Sequence, residues 1–169
     1  MSGFTMAQRA EIEGTCRQLM MRYAASLDLN DIDGLVDVFA PELVWERPGM
    51  APMHSHAEIR TFFSHLWAQR HAQNRHWFDV HMLTTCSIEV ESDELARGST
   101  WCVMYSAPDA DGQRPAVMPE RPELIVLYRD VFGPAAGGWR ILEHRATHLF
   151  RSPDYKPPEI PASLRKEQP

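Results

Sequence analysis

The chain has 169 residues, enough for one domain with a sizeable core and too few for two ordinary ones. Hydrophobic residues make up 44% and charged residues 24%, which excludes a disordered or fibrous chain, and no apolar run approaches the ~18 residues of a spanning helix. A net charge of −6 argues against nucleic acid or an anionic membrane as partner, since both select basic surfaces.

The opening segment has no basic stretch followed by an apolar core, so no signal peptide is expected. Thr5 and Gln8 form a capping box that starts the first helix. Ile12, Cys16, Leu19, Tyr23 and Leu27 then recur at steps of three and four, one helical face. Asp28-Leu29-Asn30-Asp31 interrupts it, and Asp31 can cap a short second helix with the stripe Ile32, Leu35, Val36 and Phe39, ended by Pro41. Leu43-Val44-Trp45 reads as a short strand and 47–52 as a loop. Ser55 and Glu58 make a second capping box for a third helix, whose face carries Ile59, Phe62, Phe63, Leu66 and Trp67 and which ends near His71 to Asn74. From there the chain reads as strand. His76 to Val90 and Leu95 to Tyr105 form a hairpin about Ser92-Asp93, and Glu123 to Phe132 and Trp139 to Phe150 form another about 133–138.

This order predicts an α+β fold, three helices packed against a curved, mostly antiparallel sheet, in a single domain over 1–150. Beyond it, the proline density of 151–169 predicts an extended surface tail. A curved sheet around the first and third helices leaves a conical cavity suited to a small hydrophobic molecule.

Three motifs resemble SnoaL-like proteins of the NTF2-like superfamily. These are Arg22-Tyr23-x4-Asp28-x2-Asp31-x7-Phe39; His81 with Ile88, Asp93 and Ala96; and Tyr128-x-Asp130 with Gly138-Trp139-Arg140-Ile141. Together they span about residues 6 to 150. The resemblance implies the NTF2-like conical barrel, and relatives include polyketide cyclases, scytalone-dehydratase-like enzymes, dehydrochlorinases, steroid isomerases, small subunits of ring-hydroxylating dioxygenases and plain binding proteins. In members that eliminate or isomerise, an aspartate after the first helix pairs with a histidine on the first long strand, and Asp28 and His81 stand at the matching positions. Dehydratases often add a histidine on the neighbouring strand, where this chain reads Ser99-Thr100.

An imidazole oriented by a carboxylate is a base for a carbon-bound proton at neutral pH. Asp28 and His81 are the expected pair, with Tyr23 as a hydrogen-bond or proton donor. In a regular strand His81 shares a face with Trp77, Asp79 and Leu83, and His76 shares the other with Phe78, Val80 and Met82. A bulge would change the parity, so His76 is the alternative histidine. Trp45, Phe63, Trp67 and Trp101 are candidate substrate-binding walls. The histidine spacings, including His54 and His56, match no metal site, and no dinucleotide or phosphate loop is present, so neither metal nor cofactor is expected. The cysteines Cys16, Cys86 and Cys102 fit neither a disulfide framework nor zinc and are expected as reduced thiols in a cytoplasm.

Three readings remain. One is a cofactor-independent lyase or isomerase acting on a carbonyl-bearing or halogenated molecule. Another is a non-catalytic binding or oxygenase-subunit protein. The third is water addition to an epoxide, with Arg129 or Arg145 at the site. Apolar residues on both parities of the strands predict a homodimer or homotrimer, most simply two sheets face to face.

Overall fold

The fold was described from a computed structural model that covers residues 4–72, 76–109 and 119–165, with the backbone alone at 71, 76, 77, 108 and 109. Helix α1 (Met6–Asp28) begins at the Thr5–Gln8 capping box, and its stripe Ile12, Cys16, Leu19, Tyr23 and Leu27 is buried throughout. Asp31 caps the short α2 (Ile32–Asp37) by accepting the Gly34 N–H at 2.9 Å. Strand β1 (Phe39–Glu46) and the short β2 (Met53–Ser55) lead to α3 (His56–Ala72). The long strands are β3 (His76–Val90), β4 (Ala96–Asp109), β5 (Leu124–Ala135) and β6 (Gly138–Arg151).

One six-stranded sheet results, in the order β2-β1-β6-β5-β4-β3. The sequence shows five of its strands. Phe39 and Pro41, expected at the end of α2, instead lie in β1, which docks parallel to β6 with Val44 beside Glu143. That parallel contact joins segments about a hundred residues apart, and no local periodicity announces it. The β5–β6 turn uses Gly137 and Gly138 at φ 84° and 117°, where a side chain would be strained.

The edge strand β3 is covered by α1. An edge exposes a row of unpaired N–H and C=O groups. Here Arg9 donates to the Val90 carbonyl, Arg17 to the Cys86 carbonyl, and Asp28 accepts from the His81 N–H. Three side chains of one helix therefore fix its slide along the edge and place its last residue beside His81.

β3 carries a bulge between Thr84 and Cys86, with Thr85 at φ 42°. Before it Asp79, His81 and Leu83 point inward, and after it Cys86, Ile88 and Val90 do, so the extra residue shifts the parity by one. Val80 and Met82 are 46% and 50% exposed on the outer face.

The core lies between α1, α3 and the inner face of the sheet. Phe39, Phe62, Phe132 and Ile141 are at most 1% exposed. Truncating such an aromatic to alanine costs about 3–5 kcal/mol. Residues 152–165 run on as an extended tail with a 3₁₀ turn at Ala162–Leu164, and Leu164 is buried. No described helix is long and apolar enough to cross a membrane.

Candidate active site

A cavity of about 1060 Å³ opens between α1, α3 and the inner sheet face. Leu27, Trp45, Phe63, Leu66, Trp67 and Met104 form its apolar wall. The tail, from Pro153 to Glu159, crosses its mouth. Arg47 donates to the Tyr155 hydroxyl at 2.9 Å, and Gln69 to Glu159 at 3.1 Å, pinning the tail to the loop after β1 and to α3.

Asp28 ends α1, and His81 is the middle one of the three inward residues before the β3 bulge. The two meet: Nδ1 of His81 lies 2.6 Å from Oδ1 of Asp28. The His81 backbone N–H also points at the carboxylate, 3.1 Å from Oδ1 and 3.2 Å from Oδ2. That second anchor exists because β3 is an edge strand. The carboxylate is therefore held by ring and backbone together, and the His81 ring lines the cavity with its Nε2 not bonded to any described residue. Only 9% of the His81 side chain and 26% of the Asp28 side chain is exposed. With Nδ1 engaged, Nε2 is the nitrogen that can meet a ligand.

Tyr23 also lines the cavity, accepting the Trp45 indole N–H at 3.3 Å. Burial pushes its phenol well above the ordinary range, so the hydroxyl stays protonated and can donate. Tyr128 beside it is raised for the same reason.

Trp45, Phe63 and Trp67 stand in the wall as expected from their helical and strand spacing. Trp101 does not. It is 39% exposed on the outer face, opposite Thr84 and Leu127, because its inward neighbours on β4 are Thr100 and Cys102. The His76 side chain lies outside the described residues. Arg129 is exposed on the outer face, and Arg145 binds Glu46 and Glu143 at the surface, so neither arginine expected for water addition reaches the cavity. Burial pushes the thiols of Cys16 and Cys102 up to about 12 and about 11, which keeps both protonated at neutral pH. Among the described residues no three His, Cys, Asp or Glu side chains come together as metal ligands.

The sequence reading missed a polar end of the cavity. Arg70 from α3 pairs with Asp79 of β3, and Ser106 of β4 donates to Asp79 at 2.6 Å. Glu123, just before β5, lines the same end. Its carboxyl is raised by burial first and by the Asp79 charge second, against smaller opposing effects of Arg70, Ser106 and His81. Asp79 shares parity with His81 and lies directly across from Ser106, so this part was open to a pairing argument. Arg47 and Glu123 come from loops and carry no periodic signal. His148 of β6 also lines the cavity, its pKa depressed by burial and by Arg47.

A second aspartate–histidine pair sits behind the wall. Asp130 and His144 face each other across β5 and β6, with Oδ1 and Nδ1 2.6 Å apart and both side chains fully buried. The His144 ring is 4.5 Å from Tyr23 and 4.6 Å from Tyr128, and stacks on Trp45. It does not line the cavity.

Comparison with known proteins agrees with this fold. The model of the SnoaL-like domain matches residues 8–145. The chain belongs to the SnoaL-like family. No curated protein matches it. Among solved structures, a hexachlorocyclohexane dehydrochlorinase, LinA-type3, from Novosphingobium barchaimii shares 12% identity over 93% of this chain and 99% of its own, with a TM-score of 0.71. An NTF2-like protein with a cystatin-like fold from Novosphingobium aromaticivorans shares 19% identity over 92% of this chain and 96% of its own, TM-score 0.68. A provisionally named aromatic ring hydroxylase from the same organism shares 22% identity over 83% and 91%, TM-score 0.64. At these identities the likeness is one of fold. What this chain shares with them is the frame of helices packed on a curved sheet.

Proposed function

We propose that this SnoaL-like protein is a cofactor-independent lyase or isomerase that removes a carbon-bound proton from a small hydrophobic substrate. The observation that carries the reading is the 2.6 Å contact of Asp28 with His81 at the cavity wall. Asp28 accepts the Nδ1 proton, fixes the tautomer and stabilises the imidazolium that forms. Nε2 takes the substrate proton. Such a base contributes typically 10²–10⁴-fold. Tyr23 donates a hydrogen bond to the substrate, and Trp45, Phe63 and Trp67 exclude water around it. A pure binding protein would need only the apolar wall; the ionisable groups converging beside His81 favour an enzyme. The test is solvent deuterium exchange into a cyclic ketone followed by NMR. Wild-type protein is expected to accelerate exchange, and His81→Gln to lose that acceleration by roughly 100-fold or more. Unchanged exchange in the variant would remove His81 from the reaction.

We also propose that the chain pairs with a second copy through the outer sheet face. Met82, Val103, Ile125 and Phe150 lie side by side across four strands there, and Phe150 is 66% exposed. A one-sided sheet would present polar residues at these positions. Light scattering is expected to give at least twice the 19.4 kDa of one chain, and Phe150→Glu to lower that mass. A monomer at micromolar concentration would refute the pairing.

A further inference from the structure

We infer that Glu123 is the acid of this site: its carboxyl gives a proton to a substrate oxygen while His81 removes the carbon-bound proton, so the substrate is a carbonyl or β-hydroxycarbonyl compound and not an alkyl halide. The inference rests on the proton-abstraction reading and deepens it.

The geometry begins with the β3–β4 ladder. Asp79 and His81 share the inward face of β3, and Ser106 and Met104 lie directly across from them on β4. The Glu123 N–H donates to the Met104 carbonyl at 2.8 Å, and the Glu123 carbonyl accepts from Ser152 N–H at 2.8 Å. Its backbone is thus pinned on both sides, and its side chain lines the cavity that His81 lines. A group held by backbone bonds on both sides is positioned before substrate arrives.

Charge then separates the two carboxyls. Asp79 takes the Arg70 guanidinium and the Ser106 hydroxyl. Neighbouring carboxyls resist ionising together. Burial first and the Asp79 charge second push the Glu123 carboxyl above its ordinary range, so it holds its proton to higher pH than an exposed glutamate does. Arg70, Ser106 and His81 act the other way, with smaller effect. A neutral carboxylic acid in such a place can donate to an oxygen.

The step balances. The electron pair of the broken C–H bond forms a carbon–carbon double bond. With a ketone, the carbonyl π pair takes the Glu123 proton and an enol O–H forms. With a β-hydroxycarbonyl substrate, the C–O bond breaks and the hydroxyl leaves as water carrying that proton. His81 ends as imidazolium and Glu123 as carboxylate, and proton return from His81 to Glu123 through water or product oxygen resets both. Chloride leaves as a stable anion and needs no acid. For an alkyl halide Glu123 would be superfluous.

Two measurements on the full chain test this. Infrared difference spectra recorded through an acid-to-neutral titration are expected to show a carboxylic-acid C=O band that outlasts those of the exposed carboxyls as pH rises and that Glu123→Gln removes. In deuterated water, α-proton exchange is followed for two probes, 2-tetralone and phenylnitromethane, since a nitronate forms without an acid. Glu123→Gln is expected to slow the ketone about 100-fold and the nitro compound at least about tenfold less, with Glu123→Asp recovering part of the ketone rate. Absence of the band, or equal losses with both probes, overturns the inference. His81→Gln separates the two readings. If it keeps ketone exchange while Glu123→Gln loses it, the base assignment fails and the acid stands; the reverse result retains the base and rejects the acid.

Discussion

Asp28–His81 and Asp130–His144 share a carboxylate-to-Nδ1 distance of 2.6 Å and differ in nearly everything else. The first joins a helix end to an edge strand across 53 positions of sequence, and its ring faces the cavity. The second joins direct cross-strand neighbours, and neither side chain is exposed at all. Oδ2 of Asp130 and Nε2 of His144 find no hydrogen-bond partner among the described residues. Burial raises the Asp130 pKa, and His144 only partly offsets it. So the same contact serves two ends. In one, the second ring nitrogen faces a cavity and bonds to no described residue. The other is a fixed strut on which Tyr23, Tyr128 and Trp45 lean. The carboxylate contact is common to both pairs; access to the second ring nitrogen is what differs.

The sharpest break between the pairs is expected from isosteric amides. Asp28→Asn should lower turnover by roughly 10³–10⁴, as loss of an orienting carboxylate does elsewhere, with little loss of stability. Asp130→Asn should do far less to turnover. Equal kinetic losses in the two variants, measured on one substrate, would erase the distinction. On stability the order reverses. Asp130→Ala leaves a buried imidazole unpaired and should cost about 3–5 kcal/mol in urea unfolding. Replacing both partners with apolar residues of similar size should restore most of that loss. A third contrast lies at the cavity mouth, which the buried pair lacks. Tyr155→Phe removes the bond to Arg47 and should cost about 0.5–1.5 kcal/mol, while speeding dissociation of a fluorescent cavity ligand in stopped flow. The smallest effect is a pH slope. His148 has no carboxylate partner among the described residues, and burial with Arg47 depresses its pKa below the ordinary 6.5. Between its folded value and 6.5 the unfolded chain binds more protons than the folded one. Its contribution to stability is therefore present above pH 6.5 and lost as pH falls through the folded value. His148→Gln should flatten thermal stability against pH in that window.

Much of the frame was open to a reader of the sequence, because it rests on local patterns. Both capping signals, the stripe of α1 and the long hairpins follow from periodicity and turn chemistry. Tyr23, Trp45, Phe63 and Trp67 lie on stripes that had to face inward. The misses have a common cause, a dependence on distant pairing. β1 docks on β6 far along the chain. Trp101 faces out because β4 takes its parity from β3 and β5, and an aromatic-rich strand looks alike on both sides. His144 and His148 lie on β6, whose inward positions shift at two bulges in the β5–β6 ladder. Glu123 and Arg47 come from connections, where residue type says nothing of direction.

The single inserted residue at Thr85 behaves like a change of reading frame. Upstream of it, odd positions of β3 speak to the cavity; downstream, even positions do. Deleting Thr85 cannot be absorbed locally, because one half of the strand would then present the wrong side. Either Asp79 and His81 would turn to solvent, or Cys86, Ile88 and Val90 would. Any sequence that exchanges segments within this hairpin has to carry the insertion with it, or lose either the core or the cavity-facing imidazole.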